Sequence, residues 1–312
     1  MASFTIRDLD EETTYGRTCA PVRVSRALRA VLGDDDGDLV FRQGTLRVLR
    51  QGRELVVRCG DVARVAIDDD DTLDSVLLAE VVAGDPAALV MLDAVALVVA
   101  RSILERRRGR FHVHAGLVVD EVDKPGTATL IAGPGGAGKT TTTLALMAAG
   151  ARLAGDDVAF IQVVQDEVQV VALRRPLHVG AATAAMFVGV LPAPRPNETS
   201  LMGKRVVDVD VEAGGADADS STGGVPVVRV VFPAIADVAT TTARRLSAAE
   251  VLPRLLEASA MVGWRHLAGA QAHLDALGRL ARVEAVAVVL GRDALTRPAA
   301  ISDAISDASR FL

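Results

Sequence analysis

Apolar and polar residues alternate along most of the first 80 positions of this chain. "DLVFRQGTLRVLR" (38–50) and "RELVVRCGDVARVAI" (53–67) keep the two-residue period of half-buried strands, with Gly44, Gly52 and Gly60 where turns are needed. From Pro86 to about Arg107 the period lengthens to that of a helix. "ERRRGR" (105–110) then sets positive charge at the negative end of the helix dipole and reads as a solvated terminus. The most hydrophobic stretch, "AALVMLDAVALVVA" (87–100), is too short for a membrane span and contains Asp93, so a buried helix is expected.

Strand and helix patterns alternate afterwards. "RFHVHAGLVVDE" predicts a strand, "DKPG" a turn, "TATLIAG" a second strand, and "GKTTTTLALMAAG" a helix with Gly150 beyond its end. "ARLAGDDVAFIQVV" predicts another strand and "EVQVVALRRP" its hairpin partner. A proline-rich stretch (192–200) is a lid, an acceptor-binding loop or a plain connector, and the chain returns to a strand at "KRVVDVDV". "EAGGADADSSTGG" (212–224) has the composition of a mobile loop. A strand "VPVVRVVFPAI" follows, then a helix opened by a capping box of Ser247 and Glu250, a helix in "AQAHLDALGRLA" and a strand in "VEAVAVVLG". No repeat emerges. The fold class expected is α/β, with a strand-rich part over residues 1–110 that includes the buried helix, and a core over residues 111–312.

Composition narrows the function. The 312 residues are 50% hydrophobic, ample for a large core. The formal charge of −6 argues against sequence-independent nucleic-acid binding. Cys19 and Cys59 show no metal or redox spacing, and "MASFTIRDLDEETTYG" is too polar for a signal peptide; a cytoplasmic protein off the membrane is expected. The acidic runs at 34–38 and 68–71 lack the spacing of a Ca²⁺ loop and read as solvated turns. Lysine occurs only at 124, 139 and 204, so each one merits attention.

One motif carries chemistry. Gly133 to Thr140 (Gly133, Pro134, Gly135, Gly136, Ala137, Gly138, Lys139, Thr140) fits G-x-x-x-x-G-K-[ST], between a predicted strand and a predicted helix. Glycines let successive N–H groups turn inward, and with the helix N-terminus, including Thr141, they make a phosphate cradle. Lys139 can reach the β- and γ-phosphates of ATP, and the Thr140 hydroxyl can ligand Mg²⁺. Asp156 and Asp157 follow on the next strand. Alternation would set them on opposite sides, one toward the metal and one toward an attacking hydroxyl as general base. His114, on the strand before the loop, could bring an imidazole to this pair; His112 shares its face, and the pattern does not choose between them.

His114-Ala115-Gly116, Gly133 to Thr140, Gly150 and Asp156-Asp157, within residues 112–161, resemble the catalytic core of HPr kinase/phosphorylase-like proteins, whose fold is related to phosphoenolpyruvate carboxykinase. The resemblance implies phosphate transfer from a nucleotide to a hydroxyl, commonly a serine of a protein or peptide. It implies the loop for phosphates and Mg²⁺, Asp156 as base, Asp157 toward the metal, and His114 tuning the base. The signature segment of bifunctional members is not found, so the resemblance does not carry over HPr as substrate or the reverse reaction. The layout is closer to peptide-tailoring kinases, including lasso-peptide kinases. These carry a basic pair where Lys204 and Arg205 stand, which could neutralise the transferring phosphoryl group; Arg174 and Arg175 are the competing pair. The acceptor is expected to be a hydroxyl-bearing peptide, protein or small molecule, and a homo-oligomer is possible. The alternative is a nucleotide-binding regulator or pseudo-kinase. An ATPase motor is weaker, because there is no second P-loop or arginine-finger module.

Overall fold

The computed structural model describes residues 24–29, 32, 37–68, 77–121, 124–173, 176–191, 194, 203–207, 224–259 and 269–310. The predicted loop at 212–223, nearly all of the proline-rich stretch, Arg174, Arg175, Cys19 and most of the acidic runs lie outside the described residues. The chain divides into two compact units, one running to Arg108 with Gly269 and one holding residues 109–259 and 270–310 among those described. Both mix or alternate sheet and helix, giving a mixed α/β protein.

The first unit is built on β1 (Val24–Arg29), β2 (Asp38–Gln43), β3 (Leu46–Gln51), β4 (Glu54–Cys59), β5 (Ala63–Asp68) and β6 (Leu77–Val82), in the order β1-β6-β5-β4-β3-β2. Neighbours are antiparallel except β1 and β6. Two-residue turns join β2 to β3 and β3 to β4, and their first residues, Gly44 and Gly52, have φ of 59° and 60°, where a Cβ would be strained. The helix follows as α1 (Pro86–Met91), a π-helical turn over Leu92–Ala96, and α2 (Leu97–Arg107). Asp85 caps it by accepting a hydrogen bond from the Ala87 N–H at 2.8 Å.

Two expectations for this helix are corrected. It is not too short for a bilayer: Ala87–Arg107 passes on length and composition, although 44% of its most apolar window is buried inside the protein. Its end is not simply solvated either. Glu105 is fully buried and ion-paired with Arg101 at 2.7 Å and Arg108 at 3.0 Å, because a carboxylate out of water requires compensating charge.

The second unit contains β7 (Phe111–Val113), β8 (Ala115–Asp120), β9 (Thr127–Ala132), α3 (Lys139–Ala148), β10 (Arg152–Gly155), β11 (Ala159–Val164), β12 (Glu167–Ala172), β13 (Leu177–Val179), α4 (Ala181–Met186) and β14 (Arg205–Val207). It continues through β15 (Val225–Ile235), β16 (Thr242–Arg245), α5 (Ala248–Ala258), α6 (Ala270–Leu280), β17 (Glu284–Leu290) and α7 (Ala299–Arg310). Nine strands form one sheet in the order β10-β8-β9-β15-β12-β11-β7, with β17 beside β15 and β16 beside β17; β13 and β14 pair separately. β9, β15 and β17 run parallel, with Leu130 opposite Val230 and Val230 opposite Ala285. β8 runs antiparallel to β9 and starts at Ala115 opposite Ala132, while β10 ends at Gly155 opposite Leu117. The end of β9, the start of β8 and the end of β10 therefore meet at one edge of the sheet.

Strand alternation splits the core in two. Ala128, Leu130, Ala132, Val230 and Phe232 pack with Val251 and Leu255 of α5 and with Ala276, Leu277 and Leu280 of α6. Ile131, Val231 and Val288, on the opposite face, pack with Leu144 and Ala145 of α3 and with Ile301 and Ile305 of α7. The two-residue period of β9 thus fixes which helix pair covers which face. At the start of α5, Glu250 accepts from the Ser247 N–H at 3.0 Å, the reciprocal arm of the predicted capping box.

The two long predicted strands around the loop are each broken. "RFHVHAGLVVDE" divides at His114 and "ARLAGDDVAFIQVV" divides at Asp156-Asp157. β13, α4, β16 and α7 are additions to the predicted elements. Leu255→Ala is expected to cost about 2–5 kcal/mol by leaving a cavity between α5 and the sheet, read as a lowered urea midpoint with the slope unchanged.

Candidate functional site

After Ala132 the chain turns through Gly133, Gly136 and Gly138, with φ of 155°, 80° and 101°, and α3 starts at Lys139. Glycine at 138 is required by its backbone, and the Leu290 methyl would have to shift for any Cβ there. Its φ is left-handed, and a Cβ there would lie 2.7 Å from Leu290 Cδ1. Pro134, Gly135 and Gly136 are exposed, so the loop backbone faces water. The first backbone N–H groups of α3 have no intrahelical acceptor and sit at the positive end of its dipole, which favours an anion in front of them.

Lys139 is buried beneath the loop. Its ammonium donates to the carbonyls of Gly133 at 2.9 Å and Pro134 at 3.1 Å. Burial lowers its pKa, while Asp157 and Asp156 act in the opposite direction. Thr140 is half-buried in the first turn. The Thr141 hydroxyl shares a 2.9 Å hydrogen bond with that of Thr183, tying α4 to α3.

The acid pair does not lie on a strand, so alternation does not separate the two side chains. The backbone does so instead: Asp157 adopts φ of 61° in the bend between β10 and β11, a conformation that aspartate tolerates better than most residues. Asp156 turns inward and is 2% exposed, while Asp157 stays half-buried. Neither Asp156 oxygen accepts a well-aligned hydrogen bond, although the backbone N–H groups of His178 and Asp157 lie near enough to favour its charged form. Burial pushes its carboxyl up from 3.8 to about 7, helped by the Asp157 charge and opposed by the backbone of His178 and the Lys139 ammonium. The Thr143 hydroxyl is buried and unpartnered nearby. A Cβ on Gly116 would stand 2.6 Å from Thr143 Oγ1 and 3.6 Å from Asp156 Oδ1, so the glycine after His114-Ala115 keeps that space open.

His114 occupies the break between β7 and β8, its N–H bound to the Ala258 carbonyl at 2.8 Å. Burial lowers the pKa of its ring, with Lys139 and Lys204 acting the same way; the Asp157 charge and backbone oppose them. Burial therefore favours the neutral imidazole. His112 instead lies opposite Phe160 on β11, its ring tilted against the phenyl at 5.8 Å. The structure thus places His114 beside the acids and His112 against an aromatic ring.

Lys204 is half-buried and close enough to depress both His114 and Lys139, whereas Arg205 is exposed at the start of β14. One neighbour escaped sequence reasoning. His178 on β13 puts Nδ1 3.9 Å from Asp157 Oδ2, and β13 pairs with the strand that follows Lys204. Its only sequence signal is a polar ring between two apolar residues in "LHV", too short to name a partner.

Thr140, Asp156 and Asp157 offer oxygen donors of the kind a hard dication takes. The bare buried oxygens of Asp156 are the observation that fits a cation nearby. Among the described residues no group of three or more His, Cys, Asp or Glu could hold a metal, so Mg²⁺ would need phosphate oxygens to complete its shell.

No family model and no curated protein matches the chain. Among solved structures, the Hpr(Ser) kinase/phosphatase from Coxiella burnetii aligns with 16% identity and a TM-score of 0.26, covering 64% of this chain and 95% of that one. This is a distant structural similarity.

Because the Asp156 carboxyl is raised on folding, the folded state holds a proton that the unfolded chain releases between about pH 4 and pH 7. Its contribution to stability therefore falls as pH rises through that window. Asp156→Asn is expected to melt above the parent at pH 8 and to lose that advantage at pH 4, read by differential scanning calorimetry.

Proposed function

We propose that this protein is a Mg²⁺-dependent kinase that moves the γ-phosphate of ATP to a hydroxyl, with a serine of a peptide or protein as the leading acceptor and a small hydroxylated metabolite as the second. The observation that supports it best is Asp156: a buried carboxyl without a well-aligned hydrogen bond, poised at about 7, at the same end of the sheet as the glycine loop and Lys139. A general base works best when its pKa lies near the operating pH.

In this reading the loop N–H groups, the amino end of α3 and the Lys139 ammonium hold the polyphosphate. The acceptor oxygen forms its bond to the γ-phosphorus as the bond from phosphorus to the bridging oxygen breaks, leaving ADP. Asp156 takes the hydroxyl proton. Asp157 and Thr140 would hold Mg²⁺, which supplies charge neutralisation for the phosphates. His114, its ring buried beside Asp157, tunes the acid pair that contains the base. Lys204 adds a second cation for the transferring group. Arg205, exposed beside it, is the other member of the basic pair proposed to neutralise that group.

ADP release with and without candidate acceptors tests the reaction class. Acceptor-dependent release is expected; acceptor-independent turnover would make it an ATPase, and tight binding without release a sensor. Lys139→Ala is expected to abolish transfer and weaken nucleotide binding. Asp156→Asn should keep nucleotide binding and lose about 10²–10⁴-fold in transfer rate. Full activity in Asp156→Asn would move the base to Asp157.

A further inference from the structure

The carboxyl end of β15 carries large apolar side chains into water. Ile235 is 65% exposed and Val238 41%, and Ala234 and Ala239 around them are exposed as well. The strip touches the glycine loop: the point a Cβ would occupy on Gly138 is 3.4 Å from Ile235 Cγ1 and 3.7 Å from its Cδ1. Its main chain is held firmly. The Ala236 N–H donates to the Leu290 carbonyl at 3.2 Å, the Arg292 N–H to Val238 at 2.8 Å, and the Asp293 N–H to Ala239 at 3.1 Å. Asp293 Oδ1 in turn accepts from the Thr241 N–H and hydroxyl at 2.8 and 2.7 Å.

We infer that Ile235 and Val238 form the shelf against which the base of the bound nucleotide lies, ring face on side chain. The inference rests on the phosphate-holding reading of Gly133 to Thr140. A nucleotide anchored there by its phosphates must lay its ribose and base along one wall of the loop. The wall of Asp156, Asp157, His114 and Lys204 is polar and ionisable and suits the phosphoryl group and its acceptor. The wall at Ile235 is apolar, already ordered, and in contact with the residue that caps α3. Flat heteroaromatic rings are commonly held on such surfaces, where covering apolar area is favourable. The N–H groups of Ala236, Val238, Arg292 and Asp293 are spent within the protein, so none of these four reads the ring's edge and the apolar face is the contact the strip offers.

Equilibrium binding of ATP and of inorganic tripolyphosphate to the full chain, each with Mg²⁺, separates the shelf from the loop. Ile235→Gln is expected to weaken ATP about tenfold, the order expected for losing one apolar contact, with tripolyphosphate affinity unchanged. Ile235→Leu should bind ATP as the parent does, and GTP should bind the parent about as tightly as ATP. Equal ATP affinity in Ile235→Gln and parent would overturn the shelf. So would a parallel loss of tripolyphosphate, which would mark a disturbed loop, or a parent that binds ATP no better than tripolyphosphate. A parent that binds neither ligand would overturn the loop reading and the shelf with it.

Discussion

A carboxyl group enclosed by protein with no well-aligned donor to meet it is expensive, and the second unit tolerates one at Asp156. Much of the local architecture accommodates that group. The left-handed Asp157 turns the chain so that Asp156 faces inward. Gly116 clears the space beside it, and Lys139 contributes positive charge from below the loop. Nothing in the packing of α3 against the sheet calls for an acid here. Buried carboxyls with a strongly raised pKa cluster where chemistry is done, which gives the pair more weight than its motif spacing alone.

The glycine loop depends on a second constraint, close approach. The carboxyl ends of β9, β15 and β17 come together because the three strands are parallel, and Gly138 nests against Leu290 from the farthest of them in sequence. Parallel neighbours with helices on both faces leave a crevice at their carboxyl ends, the usual place for a ligand in such sheets. The loop occupies that place.

The sequence was most legible where a single period governs. The antiparallel strands of the first unit, the α3 helix and the strand–loop–helix order around Lys139 follow directly from alternation, glycine placement and the 3.6-residue repeat. It was least legible where tertiary contacts interrupt a period. His114 and Asp156-Asp157 lie inside apolar runs that read as continuous strands, yet each marks a break, because β7 pairs with β11 while β8 pairs with β9 and β10. The same breaks lift these candidate side chains out of the sheet. His178 and Glu105 were missed for a related reason: their meaning lies in a partner, Asp157 for one and two arginines for the other, and spacing along the chain says little about partners.

The parallel pairing of β9 with β15 and of β15 with β17 also bears on how the chain reaches its native state. Each joins segments far apart in sequence, so a large loop must close before either pairing returns any energy. Leu290 in the last strand is the surface on which Gly138 rests. A nascent chain still lacking β17 would carry every residue of the glycine loop without the wall that shapes it, so competence would arise late in synthesis and all at once.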